Sequence, residues 1–166
     1  MPVSYITGNL LDWPSGINVI CHGCNSFGGH GAGIAKQIAE KYPEAAAGYK
    51  EFCKSSPLGR AELGSFHVSD VTEGETQRRI VWLITQQNVG TDRRQLDYEA
   101  FYSGLSDVKA LLVAAREQGR HWHVGLPRWI GCGLAGGSPA VIQAMVEDLF
   151  YQSPVECTVV EYNPAR

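Results

Sequence analysis

Residues 21–35 read CHGCNSFGGHGAGIA, a stretch in which an apolar run ends, five glycines follow and a helical pattern begins. The run that enters it, Ile17 to Cys21, is continuous and β-branched, as in a strand buried on both faces. The apolar positions that leave it, Ile34, Ala35, Ile38 and Ala39, fall at helical spacing, and Pro43 stops that helix after Tyr42. Between the two, Gly28, Gly29, Gly31 and Gly33 allow positive φ and close backbone approach, so several N–H groups can converge on one anion at a helix N-terminus. His22 and Asn25 stand just before them, one able to move a proton near neutral pH and the other a neutral hydrogen-bonding group. Binding and chemistry are therefore expected at one place.

Outward from this loop, Ser4 to Thr7 predicts a short strand before the turn at Gly8-Asn9. A second helix is expected from Glu44 to Cys53, and strands over Ser65 to Val71 and Arg79 to Thr85 joined by a polar turn, Thr72 to Gln77. The polar stretch Gln86 to Gln95 reads as a loop able to close over a ligand. Phe101, Leu105, Val108, Leu111, Leu112 and Ala115 then share one face of a helix over Tyr98 to Gln118, ended by Gly119. A strand over His121 to Leu126 leads into a second glycine-rich loop, PRWIGCGLAGGSP, and a helix over Pro139 to Tyr151 with Ser138 as N-cap. Cys157 to Tyr162 closes the chain as a strand. The order β-β-α-α-β-β-α-β-α-β predicts a layered α/β sandwich with a mixed sheet, and both glycine loops, each between a strand and a helix, open at one sheet edge. Two such loops suit a diphosphate.

The 166 residues suit one domain, 1–166, with one core. A formal net charge of −3 argues against a strong electrostatic grip on nucleic acid while permitting a small anionic ligand. No apolar run approaches the ~20 residues that span a bilayer, and MPVSYITGNL lacks a signal-peptide pattern, so no membrane partner and a cytoplasmic location are expected. The odd set of five cysteines suits reduced thiols.

Better-known phosphate cradles do not fit. Gly33 is followed by Ile34 and Ala35 where a Walker loop needs Lys and Ser or Thr, and the glycines start too late after the strand for a dinucleotide fingerprint. His30 stands where a cysteine phosphatase would carry its phosphate-clamping arginine, so Cys24 reads as a small apolar side chain beneath the loop. The Cys21-Cys24 pair has no second pair at metal spacing, and neither a metal nor a cofactor is expected.

Taken together, YITGNLL, CHGCNSFGGHGAGIA and LPRWIGCGLAGG resemble the macro domain family of ADP-ribose-binding modules, in the family's order and over nearly the whole chain. The resemblance implies a three-layer α/β/α sandwich whose cleft holds ADP-ribose. Adenine would lie near Asn9 and Leu10, with Tyr162 either packing against it or serving the core. The diphosphate would lie between the loop Gly28, Gly29, Gly31, Ala32, Gly33, Ile34 and the loop Gly131, Cys132, Gly133, Leu134, Ala135, Gly136. The distal ribose would lie near Asn25.

The family contains both binders and hydrolases. Its branches that use an acidic residue in the first loop, or a lysine after the central strand with an aspartate in the second loop, are not matched: this chain has His30, Gln86, Gln87 and Ala135 there. A histidine before Cys-Asn and the glycines resembles the branch that hydrolyses ADP-ribose 1″-phosphate, which implies phosphate release aided by His22, Asn25 and His30. The alternatives are an ADP-ribose reader and a hydrolase acting on modified protein or nucleic acid. A monomer with small-molecule ADP-ribose derivatives as partners is expected. Trp129 adds one residue before Ile130, as either a stacking lid or a core anchor.

Overall fold

The structure, a computed structural model, describes residues 3–90, 92–130 and 135–163. Its six strands are β1 (Ser4–Gly8), β2 (Val19–Asn25), β3 (Phe66–Glu73), β4 (Thr76–Gln86), β5 (Val124–Pro127) and β6 (Cys157–Tyr162). The helices are α1 (Gly33–Lys41), α2 (Pro43–Lys54), α3 (Tyr98–Glu117) and α4 (Pro139–Phe150). The strands form one sheet in the order β1-β6-β5-β2-β4-β3, in which the β3–β4 pair is antiparallel and the other neighbouring strands are parallel.

Period two along the central strands sorts the core into two layers. Ile20 and Cys24 of β2, with Ile80, Trp82 and Ile84 of β4, face α1 and α2 and meet Ile38, Ala45 and Tyr49. Val19 and Cys21, with Val81 and Leu83, face α3 and α4 and meet Phe101, Leu105, Ile142 and Val146. The expected three-layer α/β/α sandwich is thereby formed, with strands buried on both faces as their apolar runs require.

The element order is the predicted one, with shifted bounds. β2 starts two residues late because Ile17 closes a 3-10 turn onto Pro14, and it runs on to Asn25 because β4 continues beside it. The hairpin is longer than expected: Glu73 pairs with Thr76, and the turn is only Gly74-Glu75. The strand expected from His121 begins at Val124, since His121 and His123 are tied by main-chain bonds to the side chain of Asn18. Among the described residues no helix is long and apolar enough to cross a membrane.

Candidate functional site

The parallel strands β1, β6, β5 and β2 all end at one sheet edge, where open α/β folds bind ligands. A cleft of about 300 Å³ lies there, lined by Asn9 and Leu10 after β1, Gly23 of β2, Gly33, Ile34 and Gln37 of α1, Arg128 to Ile130 after β5, and Tyr162 of β6. Asn9, Leu10, Gly33 and Ile34 were expected there from the sequence. Gly23, Gln37 and Arg128 were not. Gln37 stands three residues after Ile34, which places both on one helix face.

The N-terminus of α1 enters this cleft without a side-chain cap: Ala32 is the N-cap and supplies no hydrogen bond. The first-turn amides of Gly33, Ile34 and Ala35 are thus open, at the positive end of the helix dipole. Gly33 has φ +60°, a conformation glycine adopts at little cost, and nothing lies within 4 Å of where a side chain would begin at Gly31 or Gly33. Gly29, Gly31, Ala32 and Gly33 are exposed and His30 is partly so. Gly28 differs from this open set. It is buried with φ +82°, and a Cβ there would stand 3.0 Å from Lys50 Cα, so it packs the loop onto α2 rather than facing a ligand.

Asn25 is tied into the loop it precedes. Its side chain is nearly buried and bonded to its own loop: Oδ1 accepts from Phe27 N and Gly29 N, both at 3.0 Å, and Nδ2 donates to Gly29 O at 3.0 Å. Tyr49 of α2 completes the knot, its hydroxyl donating to Asn25 O at 2.6 Å. The residue fixes the shape of the glycine loop. Sequence reading missed Tyr49, whose only signal was its helical position.

His22 requires the larger correction. It lies on the same face of β2 as Ile20 and Cys24 and is 0% exposed. Its ring meets Trp82 edge-on at 4.7 Å between centroids, and both ring nitrogens lie 3.6 Å from Cys24 Sγ. Trp82 in turn stacks on Tyr49 at 4.6 Å. Burial lowers the imidazole pKa to about 3, so the ring is neutral. It touches the underside of the site and does not reach the cleft, which removes it from direct proton transfer. Cys24 is a buried thiol, its pKa pushed well up by burial, in keeping with a packing role.

The cleft floor contains an irregularity. Between Cys24 and Asn25 the β2–β4 register shifts, Cys24 pairing with Ile84 and Asn25 with Gln86, so Thr85 is the extra residue of a bulge. Thr85 Oγ1 is buried without a hydrogen-bond partner and lies 2.8 Å from where a Cβ of Gly23 would be. A side chain at position 23 would have to displace the Thr85 hydroxyl.

Of the second loop, Gly131, Cys132, Gly133 and Leu134 lie outside the described residues. Ala135 is buried, and its carbonyl accepts from Gln95 N at 2.8 Å and Leu96 N at 3.1 Å. Gly136 has φ +77°, and a side chain there would meet Arg94 Cα at 3.1 Å. These two residues join the second loop to the segment before α3. The stretch expected to act as a lid is consequently held at both ends, since Ser26 Oγ also donates to Gln87 O at 2.7 Å. No group of three or more His, Cys, Asp or Glu side chains placed to hold a metal occurs among the described residues.

No protein-family model matches the chain. Curated relatives match part of it: the ADP-ribose 1″-phosphate phosphatase of Saccharomyces cerevisiae is 38% identical over 42% of this chain and 41% of its own. That of Lodderomyces elongisporus is 44% identical over 35% of this chain and 39% of its own. The chain thus matches less than half the length of either relative. Solved structures match throughout. A macrodomain protein from Streptomyces coelicolor superposes with TM-score 0.74 at 25% identity, over 97% of this chain and 99% of that one. The macrodomain of Mycobacterium tuberculosis DarG gives 0.77 at 23%, over 98% and 97%. Thermosipho africanus DarTG, solved in complex with ADP-ribose, gives 0.69 at 15%, over 92% of this chain and 39% of that one. With its sheet order and these matches over nearly its whole length, the chain has the macro domain fold.

Proposed function

We propose that the chain binds ADP-ribose in the cleft at the strand ends and hydrolyses ADP-ribose 1″-phosphate to ADP-ribose and phosphate. The observation that carries this reading is the uncapped N-terminus of α1 opening into a cleft beside a glycine loop stapled from beneath. Backbone amides there supply positive potential for a diphosphate in a protein of net charge −3. Relatives named for this phosphatase activity favour the same substrate. In the proposed pose adenine lies by Asn9, Leu10 and Tyr162, the diphosphate at Gly33 and Ile34, and the terminal phosphate beside Gly29 to Gly31.

Hydrolysis forms a bond from water oxygen to phosphorus and breaks the bond from phosphorus to the anomeric oxygen, which leaves with a proton. Little covalent work falls to the protein, so positioning and charge stabilisation carry most of the effect. His30 is the histidine in the loop itself, and we assign it the proton transfer that the burial of His22 denies to that residue. Asn25 and Tyr49 act as positioning residues through the loop.

The test is phosphate release from ADP-ribose 1″-phosphate by the protein and by His30→Ala, with ADP-ribose binding measured by calorimetry. Release should fall roughly 10²- to 10⁴-fold in the variant while binding survives. Binding without release by the unaltered protein would overturn hydrolysis and leave a reader; absence of both would overturn the whole reading.

A further inference from the structure

We propose that Trp129 is the base-stacking and specificity-determining wall of this cleft, selecting ligands that carry a purine ring. The inference rests on the reading of the cleft as a nucleotide site.

Ile130 N donates to Pro127 O at 3.1 Å, closing a turn in which Trp129 is the third residue with φ +66°. Positive φ at that position belongs to turns that favour glycine, and a bulky side chain there is an outlier. Strain of this kind persists where the surroundings or the function require it. Packing does not account for it, because Trp129 is 44% exposed and stands outside both core clusters, whereas Trp13 and Trp82 are buried. What the conformation achieves is to place an indole on the rim of the cleft, on the same lining as Tyr162, itself 55% exposed.

The ring is also braced. The Arg128 guanidinium lies over the indole with its carbon 4.6 Å from the ring centroid. Arg128 is held in turn by Glu161 at 3.7 Å and by its own N–H, which donates to Val160 O at 2.8 Å. A cation on one indole face holds the ring by its attraction to the π system, and a flat aromatic surface remains for stacking. A purine ring lies well on such a wall through its π-face, without needing hydrogen bonds.

The test compares the unaltered protein with Trp129→Gly and Trp129→Phe, titrated by calorimetry with AMP, ADP-ribose and ribose 5-phosphate, alongside thermal unfolding. Trp129→Gly should weaken AMP and ADP-ribose roughly 5- to 150-fold, the range that base–aromatic stacking covers, and leave ribose 5-phosphate unchanged. Trp129→Phe should retain most of the affinity. Because glycine relieves the positive φ, Trp129→Gly should also melt no lower than the unaltered protein. Equal weakening of all three ligands, or a lower melting temperature with unchanged selectivity, would make Trp129 a structural element and overturn the proposal. So would failure of the unaltered protein to bind either purine ligand. Tryptophan-dependent binding of AMP without binding of ADP-ribose would uphold the wall and overturn the ADP-ribose reading instead.

Discussion

Replacing Asn25 by alanine should cost the protein both stability and ligand affinity, in that causal order. The side chain makes three hydrogen bonds within the loop, to Phe27 N, Gly29 N and Gly29 O, each at 3.0 Å, and accepts a longer fourth from the Tyr49 hydroxyl at 3.2 Å. At about 1 kcal/mol net for each of the three, offset where water can reach Gly29, the loss comes to roughly 2–3 kcal/mol. In a domain of this size that is a fall of roughly 4–12 °C in melting temperature. ADP-ribose affinity should then fall because the loop must be ordered on binding. Asn25→Asp separates the contributions, since it keeps the three accepted bonds, loses the donated one and puts a negative charge beside the loop amides. It should melt nearer the unaltered protein yet bind ADP-ribose more weakly than its stability suggests. Thermal unfolding and calorimetry on both variants check this. An alanine variant that melts unchanged while losing affinity would show that Asn25 touches the ligand directly and would refute the staple.

Two further outcomes follow from buried groups. With His22 held neutral by burial at a pKa of about 3, against about 6.5 in the unfolded chain, the unfolded state binds more protons between those values, so stability falls as pH falls through that window. The contribution lost by pH 5 is about 2 kcal/mol; urea unfolding at pH 5, 6 and 7.5 should show a shallower slope for His22→Gln, and identical slopes would contradict the burial. Gly23→Ala would press a methyl against Thr85 Oγ1, 2.8 Å away, and should cost about 1–3 kcal/mol and narrow the cleft floor. Adding Thr85→Ala should recover part of that loss, and a double-mutant cycle with no coupling would exclude the contact.

Much of this architecture was legible because it depends on local chemistry. Alternation and β-branching marked the strands, proline ended α1, and glycine spacing marked both loops. The burial of His22 was also available in principle: Ile20, His22 and Cys24 share one parity on β2, and both apolar neighbours belong to the layer beneath α1 and α2. Imidazole chemistry points to a site, whereas the alternation of the strand points the ring into the core. The loop-holding bonds of Asn25 were not legible, because the sequence carries no sign of whether an amide turns back onto its own loop.

The sequence by itself determined the layered class, the element order, the placing of two glycine loops at one sheet edge and the lack of a Walker or dinucleotide pattern. Those features follow from periodicity and backbone freedom, which act over a few residues. Only the tertiary structure decided which histidine is sealed beneath the site and that Tyr49 holds the loop from α2. It also decided that the bulge brings the Thr85 hydroxyl against Gly23 and that Trp129 stands on the cleft rim with positive φ. Each depends on atoms from elements far apart in the chain meeting at a few ångströms, and such contacts are set by the packing of the whole sheet and its helices.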